Sequence, residues 1–195
     1  MMKRLVLILS LVACVLVWMT LPVSAGDDAT LGDIVFNEFL ADSSAVTDVN
    51  GEWVEIHNIT GAAINIDGWT FSDAAGSHVI NNGGTLNVPA NGKLVLCRSN
   101  DLVTNGGVTC DYEYATVTLN NTGSETLSLI EDAGTLETIA TITYGTSQVG
   151  VGRSTYYIPT DIPPVAGYFT DNQDMTRWGI TDNVAGNAFG SGDFG

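Results

Sequence analysis

The chain has 195 residues, with 22 acidic side chains against six basic ones and a formal net charge of −16 at pH 7. That length suits one domain. The acidic excess argues against nucleic acid as a partner, because affinity for a polyphosphate depends mainly on cations that neutralise it.

Lys3 and Arg4 open the chain as a short basic segment, and the run from Leu5 to Leu21 is almost continuously apolar. Pro22 ends it, and Val23 and Ala25 supply small residues at −3 and −1 before Gly26. This layout predicts a secretory signal peptide over 1–25, cleaved between Ala25 and Gly26. Two other readings stay open. The apolar run is near the lower limit for spanning a bilayer, so it could be kept as an anchor. Leu11-Val12-Ala13-Cys14 resembles a bacterial lipobox, which would lipidate Cys14, although the apolar run continues past it. All three mean export, and cleavage predicts no stable membrane insertion afterwards. Taking 25 residues from 195 leaves 170; Lys3 and Arg4 leave with them, so four basic side chains face 22 acidic ones, a formal charge of −18. Those four are Lys93, Arg98, Arg153 and Arg177.

Strand-like runs follow near 34–40, 52–58, 63–72, 77–80, 85–88, 93–98, 112–119, 125–131, 136–144 and 149–157. Val, Ile, Thr and aromatic residues fill them, with no sustained 3.6-residue apolar period. The second run alternates, with Val54 and Ile56 on one face and Trp53, Glu55 and His57 on the other. Turns separate the runs at Asn50-Gly51, Thr60-Gly61, Asp67-Gly68, Asn82-Gly83-Gly84, Pro89 to Gly92 and Asn121-Thr122-Gly123. Many short strands at this spacing predict an all-β sandwich or barrel. Leu127, Leu129, Ile139 and Ile142 are expected to point inward, and Trp53 and Trp69 to pack in the core. With Cys14 set aside, Cys97 and Cys110 remain as an even pair, which in an oxidising compartment predicts a disulfide. After 158 the texture changes: 159–195 reads as an extension rich in Pro, Gly and Asp, with Met175 to Ile180 as one further short strand or part of an extended tail.

Several of these segments together resemble the lamin tail domain family. Ile34-Val35-Phe36-Asn37-Glu38-Phe39 is similar to its first strand, where an Asn-Glu pair sits between apolar residues. Glu52 to Asn58 resembles its strand of Trp, apolar, Glu, apolar, any residue, Asn. Asp67 to Asp73 resembles the segment Gly-Trp-x-Leu-Ser-Asp, and Val88 to Leu96 a turn and strand of the form Ile-Pro-Ala-Gly-x-Tyr-Leu-Val-Leu. Leu119 to Leu129 is similar to its Asn-x-Gly hairpin. Order and spacing hold over about 33–146. The resemblance implies an immunoglobulin-like β-sandwich over 26–158, and an exported adhesion, scaffold or accessory module. The family's coiled-coil rod is absent from this sequence, so filament and chromatin roles do not carry over.

Residues with catalytic chemistry are few. His57 and His78 are the only histidines, both on or beside predicted strands. No zinc-protease, nucleophile-elbow or phosphate-loop pattern occurs, and Gly150 to Ser154 lacks the following helix that a phosphate cradle needs. Asp48-Val49-Asn50-Gly51-Glu52 resembles the start of a calcium loop, but its glycine comes two places early and the distal glutamate is missing, so it reads as a turn. Asn58-Ile59-Thr60 and Asn120-Asn121-Thr122 are glycosylation sequons that matter only in a eukaryotic secretory host. The expectation is an exported, non-catalytic module with a binding, adhesion or structural role, secreted or held in the cell envelope. It needs no catalytic residue, metal or cofactor, and its partner is a protein or cell-surface polymer, not nucleic acid. The alternative is a secreted, enzyme-associated or weakly hydrolytic protein that uses calcium held by acidic loops.

Overall fold

Alternating apolar residues in runs of five to ten, cut by Gly and Asn turns, leave the chain few options but strands that bury one face each. The structure, a computed structural model, describes residues 29–132, 136–159 and 167–181. The leader with its Ala25–Gly26 junction and Cys14 lies outside the described residues, as does much of 159–195. In chain order the first strands are β1 (Ile34–Leu40), β2 (Trp53–Asn58), β3 (Ile64–Asn65), β4 (Thr70–Ser72), β5 (Ser77–Val79) and β6 (Asn87–Val88). The remainder are β7 (Lys93–Cys97), β8 (Tyr112–Glu113), β9 (Ser124–Asp132), β10 (Leu136–Gly145), β11 (Thr155–Tyr157) and β12 (Trp178–Ile180). Two short helices, α1 (Asp48–Gly51) and α2 (Tyr168–Asn172), interrupt them.

Six strands form one sheet in the order β12-β11-β1-β2-β7-β8, and four form a second in the order β10-β9-β4-β5. A small β3–β6 ribbon stands beside them. All pairings are antiparallel except β7 with β8. The architecture is the all-β, immunoglobulin-like sandwich expected. Its core lies between the sheets, where Phe36 and Phe39 of β1 meet Phe71 of β4 and Tyr144 of β10 at ring-centroid distances of 6.2 and 4.5 Å. Leu127, Leu129, Ile139 and Ile142 are all fully buried there, and so is Trp69.

Strand β2 is covered on both sides. Val54 and Ile56 enter the main core, while Trp53 joins Leu40, Val95, Cys97 and Val108 in a second, smaller apolar cluster on the opposite face. A loop over 98–110 roofs that cluster.

Several expected strands are shorter than their runs, the one at 85–88 pairing only at Asn87 and Val88. The run at 63–72 splits into β3 and β4 because Gly68 turns at φ +90° and donates its N–H to Ile80 O (2.7 Å). The run at 112–119 pairs only at Tyr112 and Glu113, so Cys110 precedes β8 by two residues. Beyond Glu113 the chain crosses between the sheets, held by Arg98, which donates to Ala115 O and Val117 O. The run at 149–157 begins pairing only at Thr155, after a turn in which Arg153 N donates to Gly150 O (3.0 Å).

Part of the extension belongs to the sheet. Trp178 to Ile180 form β12 against β11, and α2 lies against β1. Buried Asn172 donates to Phe36 O (2.8 Å) and accepts from Trp178 Nε1 on its backbone oxygen (2.9 Å). The long edge of β10 is also covered, since Gly32 N–H caps Ile139 O (2.8 Å) and Gln173 caps Thr141 O.

Candidate functional site

The outer face of the six-stranded sheet carries the chemically densest arrangement. Strand β1 has a bulge there: Phe36 lies opposite Ile56 and Glu38 opposite Glu55, leaving Asn37 as the extra residue. A bulge re-aims side chains. Here it puts Asn37 beside Glu38 above Glu55 of β2, instead of letting the pleat alternate through them. Asn37 Nδ2 donates to Glu55 Oε1 (2.6 Å), and Lys93 Nζ of β7 makes an ion pair with the same oxygen (2.9 Å). The Glu55 side chain is only 3% exposed, whereas that of Lys93 is 30% exposed. Burying a carboxylate is costly unless it is paired and hydrogen-bonded, and both conditions hold. His57, opposite Lys93 on the same face, is held below its ordinary pKa by burial and then by the Lys93 charge.

Beside this triad is a recess of about 300 Å³ lined by Glu55, Lys93, Val95, Gly107, Thr109 and Asp111. Asp111 pins its margin: its carboxylate accepts from Val95 N (2.7 Å) and its own N–H donates to Val95 O (3.0 Å). The roofing loop is tied internally by buried Asn105, which donates to Ser99 O and Val108 O (2.8 Å each) and accepts from Gly107 N (2.9 Å). Covalently it is closed by a Cys97–Cys110 disulfide with Cα atoms 6.0 Å apart.

A second polar group lies at one end of the core. Glu52, 1% exposed, accepts from Leu119 N (3.2 Å). Burial pushes its carboxyl up to about 7, with Asp48 and Asp73 adding to the rise and the Leu119 amide and Arg98 opposing it. Burial likewise raises the Tyr114 and Tyr144 phenols. The acids around Glu52 cap backbone. Asp73 accepts from Ala75 N (2.7 Å) and Thr118 N (2.8 Å), and Glu125 from Ala74 N (3.0 Å). Asp48 accepts from Ser43 N (3.0 Å) and Asn121 Nδ2 (2.8 Å).

The stretch that resembled a calcium loop forms α1, and its carboxylates diverge, Asp48 toward Ser43 and Glu52 toward Leu119. Among the described residues, no group of three or more His, Cys, Asp or Glu side chains converges as a metal site would require. His78 bridges the sheets, with Nδ1 accepting from Ala115 N (3.3 Å) and Nε2 meeting Tyr112 Oη (2.9 Å). The Tyr112 oxygen also accepts from Asn81 N (2.8 Å). Asn58 is fully buried, donating to Ala62 O (2.7 Å) and Val88 O (3.1 Å), so the folded chain cannot present it to a glycosyltransferase. The alternation in β2 placed Glu55 on the face opposite Val54 and Ile56, but Asn37 and Lys93 were not foreseen beside it. Their meeting depends on strand order and on a bulge that leaves no local signal.

A sandwich whose first strand carries the Asn37-Glu38 bulge, whose second runs from Trp53 to the buried Asn58 and whose chain turns at Gly123 into β9 matches one family model, described as Lamin Tail Domain, over residues 27–146. The chain belongs to the lamin tail domain family. No curated protein matches it. The family match takes in the strands from β1 to β10, including the triad, the recess and the disulfide. Strands β11 and β12 and helix α2 extend this lamin tail domain beyond the matched region. Among the described residues no helix is long and apolar enough to cross a membrane.

Proposed function

We propose that this lamin tail domain is an exported, non-catalytic module with a binding, adhesion or structural role at the cell exterior, engaging a protein or cell-surface polymer. The observation that carries this reading is the recess on the outer sheet face, roofed by a loop that a disulfide closes. A disulfide is stable in an oxidising compartment, which agrees with the leader-like 1–25. The recess offers a preformed concavity with polar walls and an apolar floor at Val95. Most acids near it are engaged in holding the fold, Glu55 by Lys93 and Asn37, and Asp111 by Val95, which supports a scaffold rather than a turnover enzyme.

Fractionation of the native host tests the localisation. The expected result is protein in the medium or envelope, beginning at Gly26 and without free thiols. Recovery from the cytoplasm with residues 1–25 attached would overturn the reading. Activity is tested separately. The purified mature chain is assayed on esters, phosphodiesters and glycans with and without millimolar calcium, and its melting is followed in parallel. Calcium-dependent hydrolysis with a raised melting temperature would replace this reading by the calcium-using hydrolase.

A further inference from the structure

We propose that Asn37, Glu55 and Lys93 form a self-processing site, in which the Lys93 side chain becomes joined to the Asn37 side chain by an amide bond. The three residues sit on adjacent strands β1, β2 and β7. The prospective nucleophile, Lys93 Nζ, and the prospective leaving group, Asn37 Nδ2, are both bonded to one oxygen, Glu55 Oε1, at 2.9 and 2.6 Å. Two atoms so held cannot be farther apart than the sum of those two lengths, and Asn37 Cγ is one covalent bond from Nδ2. Groups fixed in this way react with effective molarities of about 10⁵–10⁸ M when their geometry is productive. The bulge at Asn37 is what brings the amide over Glu55. The lamin tail motif has a tyrosine at the position that Lys93 occupies, so the nucleophile is a feature of this chain and not of the family pattern.

Glu55 is suited to move the protons. Its carboxylate is 3% exposed, and one of its oxygens meets both nitrogens, so a proton taken from one can be handed to the other without passing through bulk water. Glu55 first takes a proton from the Lys93 ammonium. The freed lone pair forms a bond from Nζ to Asn37 Cγ. Glu55 then delivers its proton to Nδ2 and takes one from the new Nζ centre, and the Cγ–Nδ2 bond breaks. Ammonia leaves through the recess, onto which Lys93 opens. The balance is one amine and one carboxamide giving one secondary amide and ammonia, with no oxidant, reductant or cofactor. The reaction happens once per chain, consistent with a module that does not turn over substrate, and it does not depend on the exported role proposed above.

The test is the mass of the full chain, purified folded and non-reduced. Measured against the sequence from the N-terminal residue the purified protein carries (Gly26 once the leader is cleaved), the mass should fall short by one ammonia beyond the two hydrogens lost to the disulfide, and proteolysis should release a branched peptide linking the Asn37 and Lys93 segments. Lys93→Arg and Glu55→Gln should both lose the deficit and the branched peptide completely. A wild-type chain that keeps its ammonia after prolonged incubation at mildly alkaline pH would overturn the proposal. So would a deficit that persists in Lys93→Arg, which would place the lost ammonia in a succinimide at an Asn-Gly turn. The wild-type mass decides even where a variant fails to fold.

Discussion

Replacing Glu52 by Gln should change how stability depends on pH more than it changes stability itself. The Glu52 carboxyl rises from an ordinary 4.5 to about 7 in the folded chain. The folded state therefore holds this proton more tightly than the unfolded state does. Its contribution is complete below pH 4.5 and is lost as pH rises toward and through 7. A rise of this size, at 1.36 kcal/mol per unit, corresponds to about 3 kcal/mol lost between pH 4 and pH 8. Gln is neutral throughout and keeps an oxygen for the Leu119 amide. Urea or thermal unfolding of both proteins across pH 4–8 is the assay. The variant should gain about 3 kcal/mol on the wild type between the two ends, or about 6–12 °C for a chain of this size. An unpaired amide nitrogen would lower the variant by a similar amount at every pH, so the slope is the quantity to read. Parallel profiles for the two proteins would refute the reasoning, because Glu52 would then titrate alike in the folded and unfolded chains.

His78 uses both ring nitrogens, and burial holds its pKa below 6.5, so its contribution to stability is complete above that pH and is lost as pH falls below it; NMR titration of the ring should give a midpoint lower than that of free histidine. Thiol titration of unfolded, non-reduced protein should find no free Cys97 or Cys110, and reduction should cost about 3 kcal/mol in denaturant midpoint experiments, as expected for closing a loop of that size. Asn58→Ala should destabilise by about 2–4 kcal/mol in the same experiments, because it removes at once the buried amide's bonds to Val88 O, Ala62 O and the Thr60 N–H (2.9 Å). The mature chain should give no mobility shift with duplex DNA even at low salt; salt-sensitive binding that is lost on neutralising Arg153 or Arg177 would show that local clustering had outweighed net charge.

The strands read most accurately from sequence are those whose environment is uniform along their length. Strands β1, β2 and β7 are dominated by apolar residues that are buried along their length, and they fall within a residue of their expected bounds. Length failed where pairing depended on distant chain. The 112–119 run has strand composition throughout, yet beyond Glu113 Arg98 holds its carbonyls in place of a neighbouring strand. Glu52 looked like a turn acid because its neighbours Asn50 and Gly51 are turn residues; its burial comes from Leu119 and Tyr114, far along the chain. In the extension, the Asp, Asn and Gly content masked a helix whose Asn172 and Asp171 serve as anchors, Asp171 accepting from Tyr157 Oη (2.7 Å) and pairing with Arg177 (3.2 Å).

Strand β1 forms early in the chain but lies in the interior of its sheet, between β2 and a strand that comes more than a hundred residues later. Its second ladder cannot close until β11 arrives, and Phe36 O waits longer still for Asn172. Such non-local closure raises contact order and slows folding. It also means that a chain ended at residue 146, where the family match stops, would leave β1 as an open sheet edge and strip Tyr157 and Trp178 from the aromatic core around Phe39. The folding unit is thus longer than the family pattern, and its last few strands act as the closing piece that prevents one copy from zipping onto another.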